Sequence, residues 1–222
     1  MDKNRRFLNI SIALLRELYI DSRRFANNAF DVGIYIYSRT LEGDEAKQFK
    51  DASSFLNVTN GNIQNAKRIL SDLPAKYPVV GVDRDMLFNY YRYQKTEFEI
   101  ICLAAFLAIK SIIGKKPYDK TNKIMIHARM FGYTSPKELP EELTPLQKKY
   151  KTRWHMDKIL QELQFNWNLK ILWNHNRGIY ISFDLSLDKL AEIVDKQKRK
   201  TRLQELKEEK KRAIEKAKLT TT

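Results

Sequence analysis

The sequence predicts a mainly helical α+β chain with small β-hairpins, in which one plan is used twice and a charged helix follows. Three observations carry that prediction. Apolar residues recur at three- and four-residue spacing from Ser11 to Leu73 and again from Glu97 onward. Two stretches, KYPVVGVDRDMLFNYYRY and LKILWNHNRGIYISF, instead alternate about turn residues, as short strands do. Residues 195–222 offer little beyond Leu203, Leu206 and Ile214 to bury, and are otherwise charged.

In chain order, Ser11 to Leu18 reads as a short helix and Ser22 to about Thr40 as a second, with Phe25, Ala29, Val32, Ile36 and Tyr37 at helical spacing. GIYIY inside it has a strand-like composition, but the flanking helical pattern prevails. Asp44 to Leu56 forms a third helix, with Ala52, Phe55 and Leu56 turned inward. Asn57, Val58 and Thr59 break it, because Asn tolerates the left-handed conformation of a tight interhelical turn. Thr59 or Asn60 then caps a fourth helix built on Ile63, Ala66, Leu70 and Leu73. After Pro74 the alternating segment predicts two strands around Asp83, Arg84 and Asp85.

Helix, helix, turn, helix and strand pair is the order of a winged helix-turn-helix. In such a unit one face of the last helix is anchored and the other enters a groove of the double helix. Its outward residues here are Thr59, Asn60, Asn62, Gln64, Asn65, Lys67 and Arg68. Asn and Gln can pair with adenine, and Lys and Arg with guanine or phosphate. A plain solvated face is the alternative.

The second half repeats the succession. Glu97 to Ile113 is a strongly apolar helix closed by Gly114 and Pro117, and Thr121 caps a helix running to Phe131. YTSPKELPEELTP carries Pro136, Pro140 and Pro145 and reads as a rigid connection. QKKYKTRWHMDKILQELQF follows as one helix anchored by Met156, Ile159, Leu160 and Leu163, with Lys148, Lys149, Lys151, Arg153 and Lys158 outside. NHNRG then turns the clearest hairpin of the chain, a wing tipped by His175 and Arg177. The division expected is an N-terminal winged-helix domain over 1–93, a C-terminal one over 94–194, and a basic helical tail over 195–222.

Charge narrows the partner. Against 27 Asp and Glu stand 41 Lys and Arg, a formal +14. Residues 195–222 hold 11 basic and 5 acidic residues, a net of +6, so 14 − 6 leaves +8 on residues 1–194. A basic body favours a polyanion: nucleic acid first, an anionic membrane surface second. The single Cys102 lies in the apolar run IICLAAFLAI, which excludes an internal disulfide and points to a reducing compartment. MDKNRRF is not followed by an unbroken apolar stretch, so no secretory signal is expected, and the run from Ile100 to Ile109 is half of what a bilayer span needs. A cytoplasmic protein is expected.

Enzyme chemistry finds no support in the sequence. His127, His155 and His175 are too far apart for a helical ligand pair, and one Cys cannot complete a zinc site. IIGKKP lacks the spaced glycines and the hydroxyl after Lys that a phosphate-binding loop requires. Neither a metal nor a cofactor is expected, and Trp154, Trp167 and Trp173 are expected to pack rather than to stack on bases.

The stretch RFLNISIALLRELYIDSRRFANNAFDVGIYIYS, followed by FKDASSFLNVTNGNIQNAKRILSDL, resembles the opening winged helix of plasmid and phage replication initiators. In that group an opening segment with a leucine pair, here Leu14 and Leu15, precedes a helix built on small residues and an aromatic, here Ala26, Ala29 and Tyr35. The resemblance covers roughly residues 6–90, and the tandem plan extends it to about 195. It implies a replication initiator: a sequence-specific binder of double-stranded DNA that recognises repeats and recruits replication or phage proteins, with a homodimer as a further expected assembly. A transcriptional regulator, or a virion or assembly protein that uses the same shape for protein contacts, is the alternative.

Overall fold

The computed structural model describes residues 7–19, 22–39, 41–55, 61–73, 77–86, 95–174 and 178–219. Among the described residues the chain is mainly helical with two small antiparallel sheets. The first half begins with β1 (Phe7–Ser11) and a 3₁₀ stretch (Ile12–Tyr19). Three helices follow, α1 (Ser22–Ser38), α2 (Glu45–Phe55) and α3 (Ile63–Asp72), and then β2 (Val79–Asp83).

The partner expected for β2, a strand running on from Met86, lies almost wholly outside the described residues. β2 pairs antiparallel with β1, Leu8 opposite Val82 and Ile10 opposite Val80, and these four side chains are buried while Phe7 and Val79 face out. The expected turn at Asp83, Arg84 and Asp85 is instead a helix start: Asp83 Oδ1 accepts the backbone N–H of Asp85 at 3.0 Å and of Met86 at 3.1 Å, and the chain turns helical over 84–86. A short carboxylate satisfies the unpaired N–H groups of a first helical turn as readily as it turns a hairpin. The expected interhelical turn at Asn57, Val58 and Thr59, and Leu56 before it, lie outside the described residues. Phe55 is exposed, and Phe49 takes the inward place beside Ala52.

The second half opens with α4 (Glu97–Ile113), held at its start by a reciprocal cap between Thr96 and Glu99. Every residue from Ile100 to Ile109 is buried, so α4 is enclosed on all sides. Around it stand β2, the 3₁₀ stretch and α1 from the first half, and β3 (Asp119–Thr121), α5 (Lys123–Met130), α7 (Arg153–Asn166) and β5 (Gly178–Ser182) from the second. One continuous buried cluster runs from Leu8 to Ile181. Between α5 and α7 lie a 3₁₀ turn (Pro136–Glu138) and α6 (Pro145–Lys151), and β4 (Lys170–Asn174) precedes β5.

The second sheet has the order β3-β5-β4, all antiparallel. Ile171, Ile179 and Ile181 point into the main core, while Leu172 and Tyr180 on the other face meet Leu190 and Val194 of α8 (Leu187–Leu219). β3 has too few residues to alternate visibly. Thr121, expected as a cap, is the buried end of this strand, and Asn122 caps α5 by accepting from Met125 N at 2.8 Å.

Among the described residues no helix is long and apolar enough to cross a membrane. The Cys102 thiol is buried, which pushes its pKa up to about 12. Iodoacetamide at pH 8 is therefore expected to leave the native protein unlabelled and to modify it in denaturant, read as a mass increase; rapid labelling without denaturant would contradict this packing.

Candidate nucleic-acid interface

On the polar side of α3, the first surface expected to meet DNA, Asn65 and Lys67 are half-buried and bonded to neighbouring helices, while Asn62, Gln64 and Arg68 are exposed. Asn62 is the N-cap, its Oδ1 accepting from Asn65 N at 3.0 Å, in place of the expected Thr59 or Asn60, which lie outside the described residues. Asn65 Nδ2 donates to Asn28 Oδ1 at 2.9 Å and to Asp31 Oδ2 at 2.7 Å, both on α1. Asp31 Oδ1 also accepts the backbone N–H of Asn62 at 2.9 Å. Lys67 is ion-paired to Glu45 of α2, and Arg68 reaches Asn65 Oδ1 at 3.0 Å.

An amide on this helix was legible as a base reader because Asn can pair with adenine, but the same amide can bind a neighbouring carboxylate. The fold decides by placing α1 within reach. Asp31→Ala removes the acceptor of two hydrogen bonds in a largely buried place. A loss of roughly 2–3 kcal/mol is expected in urea unfolding, whereas Gln64→Ala should leave stability unchanged.

In the second half the basic run is divided by Thr152 into two helices, not carried on one. Thr152 ends α6 and caps α7, accepting weakly from His155 N at 3.5 Å, while its hydroxyl lies 2.8 Å from His155 Nδ1. α6 has its own reciprocal cap between Thr144 and Gln147. Lys148, Lys149 and Lys151 thus stand in the last turn of α6, where the helix dipole favours cations, and only Arg153 opens a helix. Lys149 Nζ meets Glu97 Oε1 at 2.7 Å, and the Tyr150 hydroxyl donates to the same oxygen at 2.9 Å. The hydrogen bond from Lys149, with that from Tyr150, holds the Glu97 carboxyl below the usual carboxylate range.

α6 is fixed to α5 by a buried histidine. His127 Nε2 lies 3.0 Å from the carbonyl oxygen of Gln147, which can only accept, so the ring carries its proton on Nε2. Burial lowers the His127 pKa and keeps the ring neutral. Among the described residues no three His, Cys, Asp or Glu side chains group to hold a metal ion.

α7 is two-faced. Met156, Ile159, Leu160 and Leu163 are buried, and on the opposite side Arg153, Trp154, Lys158, Gln161 and Phe165 are exposed. The Arg153 side chain is 91% exposed and lies 3.7 Å from Asp157, which is also ion-paired to Lys123 of α5. Lys158 Nζ sits over the rings of Phe98 at 5.1 Å and Trp154 at 5.3 Å, and Lys123 Nζ over Trp173 at 5.1 Å. Cations set on aromatic faces keep their outer donors available to a ligand.

Two of the three tryptophans depart from the packing expectation. Trp154 is 64% exposed and Trp173 48%, while Trp167 packs on Phe106 with ring centroids 5.0 Å apart. Ile124 at the start of α5 is exposed as well. These apolar groups gave no separate signal in the sequence, since an aromatic beside a helical core stripe reads as part of it. His175 and Arg177, expected at the tip of the hairpin, lie outside the described residues.

Comparison with protein families, with curated proteins and with solved structures finds no match to this chain.

Proposed function

We propose that this chain binds double-stranded DNA through its second half, as a winged helix in which α7 enters the major groove and the β4–β5 hairpin flanks it. One observation carries the reading. The sequence α4, β3, α5, α7, β4 and β5, with α6 inserted between α5 and α7, and the strand order β3-β5-β4 support a winged helix, and α7 turns Arg153, Trp154, Lys158 and Gln161 outward. The body charge supports a polyanionic partner. In this reading the first half braces α4, with Asn62, Gln64 and Arg68 as exposed polar residues, and the chain is a plasmid or phage replication initiator, which its opening stretch resembles, with a transcriptional regulator as the alternative.

Selection of bound duplexes from a random pool tests the proposal. An enriched motif is expected, with log affinity falling by several units per log unit of salt; no enrichment and a flat salt response would overturn it. Repeated copies of the motif at an origin would mark an initiator, and single palindromes at promoters a regulator. The exposed Trp154, Phe165, Ile124 and Trp173 favour a second reading, a protein-contact surface of an assembly component, and that reading gains if the pool yields nothing.

A further inference from the structure

Among the residues of α8 whose side chains are described, those that hold it to the sheet lie at its beginning. Leu190 and Val194 are buried against Tyr180, with Leu172 and Tyr118 beside them, and Gln197 Nε2 donates to the Tyr118 hydroxyl at 2.6 Å. From Asp195 to Arg212 every residue is exposed. Residues 196–202 carry Lys196, Lys198, Arg199, Lys200 and Arg202 with no carboxylate among them.

The fold adds one cation to this place from a distant segment. Lys120 of β3 shares with Lys198, Lys200 and Arg202 a groove of about 610 Å³, floored by Tyr180 and Gln197. Compensation is slight: Asp195 lies 3.7 Å from Lys198, and Glu205 closes the far end. Like charges gathered from two segments repel one another, and a polyanion relieves that repulsion.

We infer that this groove is a second contact for duplex DNA, a phosphate-backbone site separate from α7 and indifferent to base sequence. Lysine heads on flexible stems suit phosphates, which position a protein, and not base edges, which need fixed donors. At about 1.5 Å per residue the stretch 195–212 is about 27 Å long, close to the roughly 34 Å of one duplex turn. The arm can therefore follow the backbone beyond the segment that α7 reads.

The inference rests on the duplex-binding reading but uses other residues, so the two can fail separately. The test compares the full chain with its Lys120→Gln, Lys198→Gln, Arg202→Gln variant on the selected duplex and on a scrambled one, across a salt series. The variant should lose about 2–3 units of salt slope, with affinity for both duplexes reduced by the same factor, base preference retained and thermal midpoint unchanged. A variant with the wild-type slope on both duplexes would overturn the site, as would a wild-type chain that binds phosphatidylserine vesicles and no duplex. Failure of the α7 reading looks different: the pool yields no motif, while the triple variant still loses slope on random duplex.

Discussion

Gly178→Ala is expected to destabilise the protein by about 3–5 kcal/mol and to free β3 from its sheet. Gly178 has φ +96°, a region that side chains other than glycine rarely adopt, and a Cβ there would lie 2.3 Å from the backbone oxygen of Thr121. Neither atom can swing aside. The strand carrying Thr121 must move, and the pairing of Thr121 with Ile179 and of Lys120 with Tyr180 goes with it. Gly114→Ala provides the comparison, because Gly114 also has positive φ, +61°, but nothing lies within 4 Å of its Cβ position. That variant should lose only the backbone strain, about 1–3 kcal/mol. Urea unfolding separates strain alone from strain with collision; equal losses in the two variants would show that the Thr121 contact is not decisive.

The helices were legible because their periodicity is local. α1, α2, α4, α7 and α8 follow from apolar residues at three- and four-residue intervals, and the β4–β5 hairpin from alternation about NHNRG. Pairings between distant segments were not legible. FLNIS and VVGVD carry matching alternation, but no local signal says that each is the other's partner, so β1 was missed and β2 was assigned to a hairpin. The break at Thr152 did leave a trace. TPLQ at 144–147 is a cap-and-return pattern, and TRWH at 152–155 starts another helix, but the basic run between them masked both. The polar face of α3 reads two ways for a physical reason: Asn65 facing Asp31 and Asn65 facing adenine use the same donor. Sequence names the donor, and only the packing of α1 against α3 names the acceptor.

On α7, two substitutions a single turn apart should act in opposite directions. Arg153 and Lys158 are exposed cations on the face away from the core, and Asp157 stands between them. If α7 enters the groove as proposed, Arg153→Ala with Lys158→Ala removes two donors that would face it, and a specific contact of this kind carries about 1–3 kcal/mol of base discrimination. The selected duplex should therefore lose roughly 10–100-fold or more in affinity, and a scrambled duplex clearly less. Asp157→Asn instead removes a carboxylate that in the proposed complex would face the phosphates, and releases Lys123 and Arg153 from it. Binding to both duplexes should tighten, with the salt slope about one unit steeper. Stability should change little, because Asp157 is 36% exposed and exposed ion pairs contribute at most about 1 kcal/mol. A protein-contact surface would show neither effect. If Asp157→Asn left duplex affinity unchanged while the double variant weakened both duplexes equally, α7 would be positioning the duplex without reading it, and base recognition would have to come from another element.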